Sequence, residues 1–143
     1  MGSRRAAREL ALQALYQIDM LGEEQGGGGA AAVSRAEPSA DVEQFTRVLV
    51  EGVRANRERI DGLIAASAEH WRLPRLSRVE LNLLRLATFE LFGQPEIPTS
   101  VTINEAVEIA RRFGSEDSAA FVNGVLDHIA GLLGVKEKPG GAA

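Results

Sequence analysis

The segment VELNLLRLATFELF, residues 79–92, decides the fold class of this 143-residue chain. Leucine, alanine and phenylalanine occupy nearly every side of the helix that this segment would form, whereas a surface helix is apolar along one stripe. Ser77 and Glu80 have the spacing of a capping box, and Gly93 follows the last apolar residue. The segment therefore predicts a helix that opens with the Ser77–Glu80 capping box, ends at Gly93 and lies buried at the centre of the fold.

The sequence on both sides of this segment has helical periodicity as well. Apolar residues recur every three or four positions in five further stretches, near residues 4–21, 41–55, 57–70, 102–113 and 116–132. No stretch alternates with the period of a strand between turn signals. The chain is therefore predicted to be all-α, a compact helical bundle.

Local signals refine this helical assignment. Gly52 lies in an apolar stripe and is predicted to let another helix approach closely. Thr102 and Glu105 repeat the capping-box spacing, which places a helix start at Thr102. Gly114 fits a residue in the left-handed conformation after a helix end, and Ser115 then stands where the next helix is capped.

The apolar pattern also divides the chain into one folded part and two segments with little to bury. Residues 22–40 contain four consecutive glycines, then three consecutive alanines, and a proline, which is typical of a flexible connector. Residues 136–143 contain Pro139 and two further glycines and are predicted to be a disordered tail. We therefore expect a single helical domain over residues 1–135.

Composition excludes several classes of function. The chain has no cysteine, and His70 and His128 are far apart, so no metal site, disulfide or thiol nucleophile is expected. No phosphate-binding loop or dinucleotide motif occurs, and we expect neither a cofactor nor enzymatic activity. With 16 basic and 20 acidic residues the formal charge is −4, so any attraction for nucleic acid must come from a local patch. The longest apolar runs are too short to span a membrane, and a cytoplasmic location is expected.

The strongest candidate for such a patch is the first helix. Arg4, Arg5 and Arg8 lie within about one turn of its start, and guanidinium groups suit phosphate oxygens and nucleobases. The alternative interpretation is that these arginines are ordinary solvated charges at the start of a surface helix. Among the aromatic residues, Tyr16, Phe113 and Phe121 all fit apolar stripes, so each is either a core residue or, beside basic groups, a surface for base stacking.

Four segments of the sequence resemble a known family. They are RRAARELALQALY at 4–16, FTRVLVEGV at 45–53, VELNLLRLATFEL at 79–91 and INEAVEIARRFGSEDSAAFVNGVLD at 103–127. In order and spacing these segments are similar to those of the bacterial NusB transcription antitermination factors. The resemblance spans nearly the whole chain apart from residues 22–40 and the tail.

The resemblance implies about seven helices in two three-helix halves. It implies binding to the single-stranded boxA sequence of ribosomal RNA leader transcripts, together with NusE, a ribosomal small-subunit protein, within an RNA polymerase complex that resists termination. The RNA contacts implied are Arg4, Arg5, Arg8, Phe113, Ser115, Asp117 and Phe121. The NusE contacts implied are Tyr16 and Glu80.

Two other functions stay open at this point. NusB-like domains also occur at the start of ribosomal RNA cytosine methyltransferases, although this chain has no methyl-donor motif and no catalytic cysteine. The second alternative is a helical module that binds protein alone, with its arginines as surface charge. The sequence does not distinguish a monomer from a homodimer that covers its RNA surface.

Overall fold

A computed structural model describes residues 2–21, 39–71 and 76–136, and it consists of helices. The helices are α1 (Gly2–Leu21), α2 (Ala40–Ala55), α3 (Arg57–Trp71), α4 (Arg78–Gly93), α5 (Thr99–Phe113) and α6 (Glu116–Leu133). The all-α prediction is confirmed, with six helices in the described residues rather than about seven. Nearly all of the predicted connector and of the predicted tail, residues 22–38 and 137–143, lies outside the described residues.

Helix α4 is the centre of the fold, as its sequence predicted. Every residue from Asn82 to Leu91 is buried, and α4 contacts all five of the other helices. The pairs α1–α2 and α5–α6 pack on it, and α3 closes the bundle against α4 and α6. One core cluster runs through all six helices, because the apolar residues of α4 face outward to its neighbours in every direction.

The capping box at the start of α4 is confirmed. The Ser77 hydroxyl accepts from the Glu80 backbone N–H at 3.0 Å, and the Glu80 carboxylate accepts from the Ser77 N–H at 3.0 Å. These two bonds satisfy backbone donors that have no partner inside the helix. They also fix the position of the Glu80 side chain, whose carboxylate accepts a hydrogen bond from Ser118 of α6.

The predicted start of α5 at Thr102 is wrong. The helix begins at Thr99 after Pro98, and Thr102 is buried one turn further along. Its hydroxyl faces the Glu90 carboxylate of α4 at 3.4 Å rather than its own backbone. A threonine followed three residues later by a glutamate therefore has the spacing of a capping box here, although the threonine hydroxyl faces a buried carboxylate instead of capping the helix.

Glycine behaves as predicted at one position and differently at another. A Cβ on Gly52 would lie 2.1 Å from the Phe89 ring, so α2 and α4 approach closely there, as expected. Gly114 ends α5 at a φ of −135° and is not left-handed. The left-handed residue is Gly134, with a φ of 70°, where it ends α6.

Two negative findings apply to the described residues. None of their helices has the length and apolar content needed to cross a membrane. They also contain no group of three or more histidine, cysteine or acidic side chains arranged to hold a metal ion.

Candidate nucleic-acid interface

The three arginines at the start of α1 lie in three different environments. Arg4 is exposed, and its guanidinium lies over the Phe45 ring of α2 at 5.1 Å from the centroid. Arg5 faces α5 and keeps 41% of its side chain exposed. Arg8 is in the interior with 3% exposed. A cluster that is compact in sequence is therefore divided by the helix it lies on, since successive residues turn by about 100°.

Arg8 forms a buried ion pair with α4. Both of its terminal bonds to the Glu90 carboxylate are 2.8 Å long, and Glu90 is 1% exposed. A two-bond pair of this kind is among the strongest that proteins make, and neither partner is available to solvent. The structure therefore favours a structural role for Arg8 over a direct contact with RNA, because its guanidinium is buried against Glu90.

Glu105 of α5 joins the buried pair to the surface. Its carboxylate accepts two bonds of 2.8 Å from Arg5 and lies 4.0 Å from Arg8. The Arg5 guanidinium holds the pKa of Glu105 below its ordinary value through these bonds and their charge. Positive and negative groups thus alternate from surface to core in the order Arg5, Glu105, Arg8, Glu90.

The two candidate stacking rings have opposite environments. Phe113, the last residue of α5, is 54% exposed, whereas Phe121 is 9% exposed and belongs to the core cluster. Phe121 lies on the inward side of α6 with Val122 and Val125, so its ring cannot receive a base in this arrangement. The structure therefore favours the core interpretation of Phe121 over a base-stacking role.

Phe113 and Tyr16 lie at one groove. The groove has a volume of about 330 Å³ and joins the middle of α1, the start of α4 and the end of α5. Its lining residues are Leu12, Gln13, Tyr16, Gln17, Val79 and Phe113. Tyr16 is 37% exposed, so the groove has two exposed aromatic rings, those of Tyr16 and Phe113. The structure thus brings together a predicted RNA residue and a predicted NusE residue from positions far apart in the chain.

The turn between α5 and α6 continues this surface. Ser115 caps α6 by accepting from the Ser118 N–H at 3.2 Å, and Asp117 is exposed in the first turn. The Ser118 hydroxyl donates to Glu80 at 2.7 Å, which ties the turn to the start of α4. Glu80 and Phe113 line the same small cleft, so both predicted NusE residues adjoin Phe113.

The structure adds charged residues that the sequence did not single out. Arg112 pairs with Glu9 across the gap between α5 and α1, and Arg111 pairs with Glu108 and Glu116. Both also lie in the last turn of α5, where cations are favoured by the helix dipole. Their side chains stand beside Phe113 in the chain, so α5 ends in two cations and an exposed ring.

Comparison with known proteins gives one consistent result. The NusB family model matches residues 5–131 of the chain. The transcription antitermination protein NusB of Myxococcus xanthus (strain DK1622) is 50% identical over 137 residues, which cover 93% of this chain and 98% of the relative. The solved structure of T. maritima NusB has a TM-score of 0.78 at 39% identity and covers 90% of each chain. A chain in the crystal structure of the antitermination factors NusB and NusE in complex with double-stranded RNA has a TM-score of 0.81 at 29% identity, covering 92% of this chain and 98% of that one.

Proposed function

Because the chain belongs to the NusB family, we propose that it binds boxA RNA of ribosomal RNA leader transcripts together with NusE. Proteins of this family are antitermination factors and not enzymes. The proposed complex acts in the cytoplasm on RNA polymerase and makes it resist termination. In this proposal the chain supplies an RNA surface and a protein surface that meet at one place.

The observation that carries the proposal is the exposed Phe113 ring at the groove it shares with Tyr16. Phe113 has more than half of its surface exposed and therefore contributes little to the core, and Arg111 and Arg112 directly precede it at the end of α5. An aromatic ring beside guanidinium groups is the arrangement on which single-stranded bases stack. We assign RNA contacts to Arg4, Arg5, Phe113, Ser115 and Asp117.

The interior residues have a supporting role in this proposal. Arg8 holds α1 against α4 through Glu90, and Phe121 packs in the core beneath the α5–α6 turn. Both shape the RNA surface without touching the RNA. Asp117 repels phosphate, so its contact would be with a donor on a base edge.

NusE would bind next to the RNA. Tyr16 and Glu80 each share a cavity with Phe113, so a protein that binds them would lie next to an RNA strand on the ring. The related NusB chain that was crystallised with NusE and double-stranded RNA supports a joint complex. We propose the single-stranded form as the ligand, since unpaired bases can stack on Phe113.

The test is fluorescence anisotropy of labelled boxA RNA, titrated with the chain alone and with NusE present. The comparison RNAs are a scrambled strand and a boxA duplex, and the oligomeric state is measured in parallel because a homodimer could cover the same surface. Tighter binding of single-stranded boxA, strengthened by NusE, is expected. Binding of NusE with equal affinity for all three RNAs would overturn the proposal and leave a protein-binding module.

A further inference from the structure

A further pocket lies at the α1 start, beside Arg4. It has a volume of about 350 Å³ where α1, the first half of α2 and the end of α4 meet. Its lining residues are Arg4, Asp41, Gln44, Phe45, Val48 and Gln94. This is within the usual size of pockets that hold small organic groups.

The floor of this pocket is an aromatic ring held by two guanidinium groups. Phe45 is half-buried, Arg4 lies 5.1 Å from its centroid, and the buried Arg8 lies 5.8 Å from it. Within the described residues Arg4 has no ion pair, in contrast to Arg5 and Arg8, so its planar group is held by the ring alone. A guanidinium plane and a phenyl ring at one pocket form a stacking site for a flat π-system.

The charges in this pocket favour a neutral ligand over a phosphate. Arg4 contributes one positive charge and Asp41 one negative charge, and the other polar groups are the amides of Gln44 and Gln94. Amide side chains both donate and accept, which matches the edge of a nucleobase. The Asp41 carboxylate would accept from an exocyclic amino group, which adenine, cytosine and guanine have and uracil lacks.

We propose that this pocket binds a single nucleobase of the bound RNA, stacked against Arg4 and Phe45. The inference rests on the proposed function, because it assigns a second contact to the same RNA. Arg4 and Arg5 are neighbours in the chain, and Arg8 lies near both the Phe45 ring and Glu105, so a strand that contacts Arg5 lies close to the pocket. The pocket thus extends the RNA surface beyond the groove at Phe113.

The experiment measures the affinity of the full chain for boxA RNA over a series of salt concentrations. The variants are Gln44→Ala, which is exposed, and Phe45→Leu, whose folding is checked by circular dichroism. The matched control is Gly62→Ala, which leaves the net charge unchanged at an exposed position of α3 outside this pocket. We expect Phe45→Leu to weaken binding by about tenfold, in the range of one lost base–aromatic stack. Gln44→Ala should weaken it less, and the control should bind like the unmodified chain.

The slope of affinity against salt separates a base from a phosphate. Losing a base contact leaves the number of displaced counterions unchanged, so Phe45→Leu should keep the salt slope of the unmodified chain. A slope reduced by about one would place a phosphate in the pocket and overturn the inference.

Further outcomes distinguish this inference from the proposed function. If the unmodified chain binds RNA and Phe113→Ala weakens it, but Gln44→Ala and Phe45→Leu do not, the pocket is no base site and the proposed function stands. If the unmodified chain does not bind RNA even at low salt with NusE present, both are overturned.

Discussion

Phe113 and Phe121 differ in environment although both fit an apolar stripe. Phe113 ends a helix and projects past the core, whereas Phe121 lies one turn inside the next helix on its buried side. The same type of side chain therefore packs in the core at position 121, whereas at position 113 it is exposed and is proposed to stack on RNA. A substitution at one of these two positions is therefore the matched control for the same substitution at the other.

We expect Phe113→Ala to lower RNA affinity and leave stability nearly unchanged. Loss of one stacked base corresponds to about 1–3 kcal/mol of binding free energy. Phe121→Ala should instead lower the free energy of unfolding by about 3–5 kcal/mol, because it opens a cavity in the core. RNA anisotropy and urea denaturation of both variants measure the two quantities. A Phe113→Ala protein with a lower free energy of unfolding and unchanged RNA affinity would contradict this assignment.

In the proposed complex, Glu105 would compete with RNA for Arg5. Its carboxylate occupies both donor positions of the Arg5 fork that a phosphate would use. RNA binding at Arg5 must therefore break this pair, and Arg8 at 4.0 Å is the cation that stays beside Glu105.

We expect Glu105→Gln to raise RNA affinity by several-fold, since Arg5 then meets phosphate without an internal competitor. The matched control is Glu43→Gln on α2, whose carboxylate faces Arg47 at 3.9 Å. Both variants change the net charge equally, so long-range attraction is the same in the two. Equal affinities for the two variants at low salt would show that Glu105 does not restrain Arg5.

The same pair gives a pH dependence of stability. Because Arg5 lowers the pKa of Glu105 in the folded chain, the pair contributes fully above the ordinary carboxyl value of 4.5. Its contribution is lost as the pH falls below that value and through the lower pKa of the folded state. The difference in unfolding free energy between the unmodified chain and Glu105→Gln should therefore shrink in acid, as measured by urea denaturation at neutral pH and below pH 4.5.

At the scale of helices, the contact of α2 with α4 depends on one glycine. The Phe89 ring lies where a Cβ of Gly52 would be, and Gly93 leaves room on its other side. The ring is also packed edge-on against Phe92, with centroids 5.7 Å apart. A large side chain on α4 is thus accommodated because α2 lacks one at the point of closest approach.

We expect Gly52→Ala to lower the free energy of unfolding by about 1–3 kcal/mol through overpacking against Phe89. Gly62 is the matched control, because it is exposed in α3 and a Cβ there would meet nothing within 4 Å. Gly62→Ala should raise stability by about 0.5–1 kcal/mol, since alanine has the higher helix propensity. Thermal and urea unfolding measure both, and a stabilised Gly52→Ala would refute the close approach.

At the scale of the whole molecule, one buried charge pair links the first helix to the centre. Arg8 and Glu90 are 82 residues apart, and Thr102 of α5 adds its hydroxyl at 3.4 Å from the same carboxylate. Three helices therefore meet at this buried polar cluster.

Removing the charge of Glu90 should be costly. We expect Glu90→Gln to lower the free energy of unfolding by about 3–5 kcal/mol, because Arg8 stays buried with its main partner neutral. The exposed Glu96→Gln serves as control and should change stability by less than about 0.5 kcal/mol. Urea denaturation gives both values, and a Glu90→Gln protein as stable as the control would show that the pair does not hold α1 in place.

Sequence alone determined the features that depend on residues within a turn or two of each other. These include the helical character of every described element, the burial of α4, and the capping box of Ser77 and Glu80, because periodicity and caps are properties of a local segment. Where a local pattern has two physical origins, as at Thr102, the prediction was wrong.

The tertiary structure decided which side chains are buried together and which remain at the surface. Arg5 pairs with Glu105, 100 residues away in the chain, and Arg8 pairs with Glu90, 82 residues away. Arg5 therefore lies at the surface and Arg8 in the interior, although both are at the start of α1. Phe113 came to lie at a groove with Tyr16, and Arg4 at a pocket with Phe45. No local pattern predicts these pairs, since they arise from the packing of helices around α4, and that packing depends on the whole core at once.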